Sequence, residues 1–284
     1  MAILLYILIC LIWGSTWIAI KIGLTQAPPL YTAGFRFIIA FFILVTIVKV
    51  KGLSYPKSYK AFLTLGYPGL YMYGASYALI YFSELYISSA LAAVLFASFP
   101  FFVALLSFRS LKNEKLNALG WLGLFFGLTG VILISIDSLQ TSRDLFLGTL
   151  LSLAGSFAAA YGMILHKKDF SRENIFVAAT VQMSCGGLIL VPAALIFEKW
   201  SDFIFSIESI GSIVYLAVFG SVIAFLGYYW LLARTRAVTV SLIAFITPIV
   251  AIFIGVLFFS ENLSLLIILG TILILSGILM VERK

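Results

Sequence analysis

The chain has 284 residues, 63% of them hydrophobic and 10% charged, with a mean hydropathy of +1.17, which leaves far too little polar surface to coat a water-soluble globule. Its formal net charge of +7 and pI near 9.4 come from basic residues scattered singly between apolar runs rather than gathered into a patch, so a nucleic-acid partner is not predicted. The sequence carries no His/Cys cluster with metal spacing, no Gly-rich phosphate loop with a lysine and no buried acid/base pair, so no enzyme, metal or cofactor is predicted either.

A hydrocarbon core of about 30 Å is crossed by roughly 20 apolar residues in a helix. Runs of that kind fall at 2–23, 31–49, 61–82, 86–107, 117–136, 146–165, 175–197, 210–233, 238–259 and 263–281, which predicts an all-α membrane protein with ten transmembrane helices. Runs such as 116–136 are apolar on all sides, without the alternation of a membrane β-barrel. The first run lacks a basic start and a small-residue cleavage site, so it reads as a retained helix rather than a signal peptide. Cys10 and Cys185 both lie inside apolar runs and read as small packing residues. The joints carry breakers and charges, as at Pro28-Pro29 and Lys49 to Lys60, and none is long enough for a soluble domain.

Translocating basic residues is disfavoured, so their distribution orients the chain. Alternate joints receive Lys49, Lys51, Lys57 and Lys60, then Arg109, Lys112 and Lys115, then Lys167, Lys168 and Arg172, then Arg234 and Arg236, then Arg283 and Lys284. The other set receives only Lys21, Arg143 and Lys199. Both termini are therefore expected on the cytoplasmic side of the plasma membrane.

The sequence also contains itself twice. Ser89 to Pro100 aligns with Ala237 to Pro248 at an offset of 148, and beyond the prolines Glu114, Gly123 and Gly130 align with Glu261, Gly270 and Gly277 at 147. Extending the offset pairs Gly14 with Gly162, Tyr77 with Phe225 and Tyr81 with Tyr229. The reading is two five-helix repeats, residues 1–137 and 145–284. Because five is odd, the halves must cross the membrane in opposite senses, and inverted repeats commonly hold a site near the midplane and rock about it.

Trp13-Gly-Ser-Thr-Trp17, the Pro28-Pro29 entry with Arg36, Pro100 with Glu114, and Pro248 with Glu261 together resemble the EamA-type transporters of the drug/metabolite transporter superfamily over essentially the whole chain. The resemblance implies a ten-helix plasma-membrane carrier, often an exporter of amino acids or related metabolites. It also implies a central cavity lined mainly by helices 1, 3, 4, 6, 8 and 9, and it fixes no substrate.

Mid-span polar and aromatic groups on those helices are the candidate cavity residues: Trp13, Thr16, Trp17, Tyr73, Tyr77, Ser98, Ser156, Tyr161, Tyr228 and Thr247. Spacing of four puts Tyr73, Tyr77 and Tyr81 on one helical face. Such a wall suits a small solute with apolar and polar parts, although packing and interfacial anchoring explain tyrosines equally. Pro100 and Pro248 each free a carbonyl one turn earlier, near Phe96 and Ala244, and so mark either hinges or static kinks satisfied by Ser98, Thr247 or water. Arg36 could hold a substrate carboxylate, or else snorkel outward or pair with helix-end carbonyls or Glu84. Lys21 reads as an interfacial anchor, Glu114 and Glu261 as helix-start carboxylates, and His166 as an interfacial residue at the end of helix 6. Gly148, Ser152, Ser156 and Ala160 form a small-residue stripe expected to pack inside the protein, and helices 5 and 10 are expected to be scaffold. The sequence thus points to an alternating-access carrier of small metabolites in contact with membrane lipid, monomeric unless a small-residue face pairs two copies. A lipid translocator and a non-transporting structural or signalling membrane protein are the competing readings.

Overall fold

The computed structural model describes residues 2–111, 115–135, 143–250 and 265–282; Glu114 and Glu261 lie outside them, as does the end of the predicted span 238–259. Among the described residues the chain is almost entirely helical and contains no strand. Six helices among the described residues are long and apolar enough to cross a membrane, Ala2–Leu24, Pro29–Val50, Leu91–Ser110, Phe146–Phe170, Ile175–Phe197 and Ile207–Leu232, with shorter apolar helices at Ala118–Gly130, Ala237–Val250 and Ile268–Val281. The chain is a multi-pass integral membrane protein, and its polarity is arranged accordingly. Large apolar side chains such as Leu188, Leu195 and Ile207 point outward, while Arg36, Glu84, His166 and Gln182 are buried.

The first helix, α1 (Ala2–Leu24), is followed by an extended Pro28 and by α2 (Pro29–Val50), whose first residue is a proline that needs no N–H there. Pro28 offers no cap, and the Glu198 carboxylate supplies one from 168 residues away, accepting from the N–H of Leu30 at 2.8 Å and of Tyr31 at 3.0 Å. Helix α2 ends on Gly52, whose φ of +62° is the left-handed stop that glycine adopts without strain.

The next rod is not a uniform α-helix. It runs as α3 (Tyr59–Gly69), a π-helical segment (Leu70–Ala75) and α4 (Ser76–Tyr86). A second rod repeats the pattern: α10 (Ile207–Tyr215), a π segment (Leu216–Ile223) and α11 (Ala224–Leu232). The offset that aligns Pro100 with Pro248 carries residues 70–75 onto 218–223, inside the second π segment. Between the two rods along the chain lie α5 (Ser89–Phe96), α6 (Phe99–Ser110), α7 (Ala118–Ser135), α8 (Arg143–Phe170) and α9 (Ile175–Phe197), and after them come α12 (Ala237–Ser241), helical residues to 250, and α13 (Leu265–Glu282).

The predicted span 86–107 is broken at Ala97 and Ser98, with Pro100 in the first turn of α6. Both proline-freed carbonyls are occupied by hydroxyls: Ser156 Oγ donates to Phe96 O at 3.2 Å, and Thr247 Oγ1 donates to Ala244 O at 3.2 Å. Ser98 acts one step removed, donating to Ser156 Oγ at 3.0 Å.

Glycines set the closest approaches. A Cβ on Gly123 would stand 2.6 Å from Gly277 O, one on Gly277 2.4 Å from Gly123 O, and one on Gly130 2.5 Å from Gly270 O. The glycines that mark the repeat in sequence therefore face one another, and because 123 meets 277 while 130 meets 270, α7 and α13 run antiparallel. The small stripe of α8 is turned inward: Ser152 Oγ donates to Ala92 O at 3.2 Å, and Ser152, Ser156 and Ala160 are fully buried.

Candidate functional site

A narrow slot lies in the middle of the bundle, walled by α1, α2, the two π-interrupted rods, the α5/α6 break, α8 and the segment after α12. It is tight: its cavity measures about 80 Å³, well below the about 300–1,000 Å³ usual for small-molecule sites. The slot as it stands has room for several waters or a small solute. Rings dominate the wall: Trp13, Trp17, Tyr77, Phe96, Phe99, Phe225 and Tyr228. Their edges interlock, with Trp13 against Phe225 at 5.0 Å between centroids and Trp17 against Phe96 at 5.7 Å.

Among the described residues Arg36 is the charged group on this wall, and its position corrects the outward readings. It sits seven residues into α2, is 1% exposed, and neither snorkels nor pairs with Glu84. Its Nε donates to Ser221 Oγ at 2.8 Å and its Nη2 to Gly220 O at 3.1 Å, both in the second π segment. Its plane also lies 4.7 Å from the Tyr77 ring centroid. Gly220 O accepts a second donor, Trp13 Nε1, at 3.1 Å, so the π segment ties the α1 wall and the α2 cation to one carbonyl. A Cβ on Gly220 would come within 2.9 Å of Thr16 and 3.0 Å of Arg36 Nη2, which explains the glycine.

Two polar clusters bracket the slot along the bundle. At one end Lys21 Nζ donates to the backbone carbonyl of Glu84 at 2.7 Å, joining α1 to α4, and the buried Glu84 carboxylate accepts from Ser89 Oγ at 2.7 Å. Toward the other end a chain of hydrogen bonds links four helical rods. Gln182 Nε2 donates both its hydrogens, to Leu65 O and to His166 Nδ1, each at 3.0 Å, which places the imidazole proton on Nε2. Tyr229 OH donates to Gln182 Oε1, leaving Tyr73 OH to donate to Tyr229 at 2.8 Å. His166 stacks on Tyr229 at 4.0 Å and is buried. It is not a terminal interfacial residue as its sequence position suggested, because α8 continues to Phe170.

Of the candidate residues, Trp13, Thr16, Trp17, Tyr77, Tyr228 and Thr247 line the slot. Four do not: Tyr73 is spent in the Tyr229 network, Ser98 and Ser156 serve the Phe96 carbonyl, and Tyr161 packs on Tyr71 at 4.8 Å. Sequence reasoning left out Ser76, on the same helical rod as Tyr77, and kept Arg36 outside the candidate cavity set while allowing that it could hold a substrate carboxylate. The signal for Arg36 was its charge inside a span; for Ser76 it was a hydroxyl on a tyrosine-rich helix.

The profile of the EamA-like transporter family matches residues 1–136 and again residues 146–283. YoaV of Bacillus subtilis, an uncharacterized transporter, is 28% identical over 282 residues, covering 96% of this chain and 93% of its own. YedA of Escherichia coli K12, an uncharacterized inner membrane transporter, is 29% identical over 255 residues, covering 89% of this chain and 81% of its own. A probable amino-acid metabolite efflux pump of the same bacterium is 28% identical, covering 96% and 92%. A solved crystal structure matches the fold with a TM-score of 0.80 at 17% identity, over 99% of this chain and 96% of its own. An apolar helical bundle with a polar-tipped internal slot and these relatives is a membrane transporter. The chain belongs to the EamA-like transporter family.

Proposed function

We propose that this protein is an alternating-access carrier that exports or exchanges small metabolites, amino acids or related compounds foremost, across the plasma membrane. The observation that carries the reading is the slot itself, whose wall draws Trp13, Tyr77 and Phe96 from the first family match and Ala159, Tyr228 and Thr247 from the second. A cleft shared by two halves is the place where rocking of one against the other exposes a solute to alternate sides. The relative named as an amino-acid metabolite efflux pump supports the solute class.

An inverted pair of five-helix repeats, 1–137 and 145–284, is supported by three features. The repeat-marking glycines of α7 and α13 meet antiparallel, the π segments recur at the repeat offset, and each half presents its proline to a hydroxyl-satisfied carbonyl. The basic joints support a cytoplasmic position for both termini, which would put the Lys21 and Glu84 tie toward the outside and the His166 network toward the inside. Six wall residues named from sequence, Trp13, Thr16, Trp17, Tyr77, Tyr228 and Thr247, contact the solute, and Pro100 and Pro248 mark the flexing points. Counterflow in proteoliposomes against amino acids, nucleosides, sugars and cationic drugs tests the reading. At least one amino acid or close relative is expected to exchange, and Tyr77→Ala to reduce that exchange toward background. Absence of exchange for every class would refute the carrier assignment.

A further inference from the structure

The wall of the slot holds more polar capacity than the fold uses, and what is unused has one sign. Arg36 has five N–H donors. Two make firm bonds, to Ser221 Oγ at 2.8 Å and Gly220 O at 3.1 Å, while the contacts to Tyr77 OH and Tyr81 OH are long, at 3.4 and 3.5 Å. All four partners are neutral. Among the described residues no carboxylate reaches the guanidinium, so a full positive charge lies buried without a counter-ion, an arrangement that is costly in a low-dielectric interior.

Two further groups on the same wall are idle. Ser76 Oγ and Tyr228 OH are buried and have no hydrogen-bond partner. A buried hydroxyl left unpaired is a cost to folding, and one that faces a cavity has its partner supplied by whatever enters. Both can donate to an anion.

Among the described residues nothing comparable awaits a cation, and no acidic side chain lines the slot. The Gly220 carbonyl already accepts from Trp13 and Arg36, and that of Ala244 from Thr247. The Glu84 carboxylate is not part of the wall; one oxygen holds Ser89, and Lys21 lies beside it.

We propose that the slot takes an organic monocarboxylate with an apolar, ring-sized body, its carboxylate seated on Arg36 and its remaining lone pairs on the Ser76 and Tyr228 hydroxyls. A planar carboxylate accepts two parallel bonds from a guanidinium fork, and the ring-rich remainder of the wall receives the apolar body. Among amino acids and their relatives, the solutes preferred are those whose amine is absent or blocked, because a free ammonium would enter a site with a cation and no anion. The inference rests on the carrier reading for its biological sense, but the binding step is measurable without transport.

Three solutes with one phenylethyl body separate the charges: 3-phenylpropanoate, phenylalanine and phenethylamine. Isothermal titration of the purified full-length protein is expected to show 3-phenylpropanoate binding at least about tenfold tighter than phenylalanine, whose ammonium must leave water for a site that already holds a cation, and phenethylamine not binding. Tyr228→Phe, which removes a hydroxyl that bonds nothing in the fold, is expected to melt no lower than the parent and to weaken 3-phenylpropanoate roughly tenfold. Arg36→Lys, which keeps the charge and loses the fork, should retain the preference for the anion with reduced affinity. Equal affinities for the three solutes, no binding of 3-phenylpropanoate, or an unchanged affinity in Tyr228→Phe would each overturn the proposal. Counterflow with the same three solutes separates it from the carrier reading: anion-selective binding without flux upholds the site and refutes the carrier, while flux that favours phenylalanine or phenethylamine upholds the carrier and refutes the site.

Discussion

Ser156 illustrates how single side chains hold this fold in an apolar solvent. Pro100 strips the Phe96 carbonyl of its helical N–H, and Ser156 replaces it from another helix at 3.2 Å. Ser156→Ala would leave that carbonyl unpaired where no water competes, a cost of about 1–3 kcal/mol. Ser98→Ala removes only the donor to Ser156 and should cost less, so thermal melts of the detergent-solubilised protein are expected to rank Ser156→Ala below Ser98→Ala. Glu198 works at the membrane edge. Its carboxylate caps α2 through the N–H groups of Leu30 and Tyr31, while partial burial pushes its pKa above the ordinary 4.5 against the opposing pull of those two bonds. A carboxyl raised in the folded state binds its proton more tightly there than in the unfolded chain. Its contribution to stability is therefore greatest below about pH 4.5 and declines as pH rises through the raised value. Glu198→Gln should flatten that decline and still offer one accepting oxygen, whereas Glu198→Ala uncaps the helix at about 1 kcal/mol. Melting curves between pH 4 and 7 check both, and a slope that persists in the Gln variant would place its source elsewhere.

At the scale of elements, glycine decides where helices touch, and the effect of replacing one depends on what its missing Cβ would meet. Gly123 and Gly277 face each other's carbonyls across α7 and α13, whereas Gly211, inside α10, has nothing within 4 Å. Gly123→Val must push the two helices apart and should lower the melting temperature. Gly211→Ala removes a helix-destabilising residue into open space and should raise stability by about 0.5–1 kcal/mol. If both substitutions shift the melt the same way, the glycine seam is not what holds α7 to α13. These glycines were visible in the sequence as landmarks of a repeat. Their mutual contact was not, because periodicity within one segment carries no information about its partner. The same limit applies to Pro100, whose freed carbonyl was evident while its donor, Ser156, lies on a different helix. His166 was misplaced because Lys167 and Lys168 look like the end of a span. Helix α8 instead continues to Phe170, with Lys167 Nζ hydrogen-bonded to the carbonyls of Leu232 and Thr235. Arg36 announced itself as a charge in lipid, yet the Gly220 and Ser221 acceptors depend on a π segment that no residue pattern marks.

For the whole molecule, the arrangement of joints ties topology to mechanism. The joint after α1 meets the joint after α9, Ile204 N–H donating to Gln26 O at 2.8 Å. Lys51, in the joint after α2, lies 5.0 Å over the Phe176 ring at the start of α9. A first joint of the leading half thus shares an end with a second joint of the trailing half, which is what two halves of opposite sense require. Single cysteines in a Cys10→Ala, Cys185→Ala background test this at exposed positions: Thr25→Cys and Ser201→Cys at one end, Ser54→Cys and Arg172→Cys at the other. Both native thiols lie within helices, Cys10 buried and Cys185 partly so, and their removal clears the background. A membrane-impermeant maleimide added to intact cells is expected to label the first pair and to reach the second only after permeabilisation, since basic joints stay on the cytoplasmic side. Labelling of Thr25→Cys and Arg172→Cys together from outside would refute the proposed inverted arrangement, and with it the geometric reason for proposing that a slot shared by two halves opens alternately to either side.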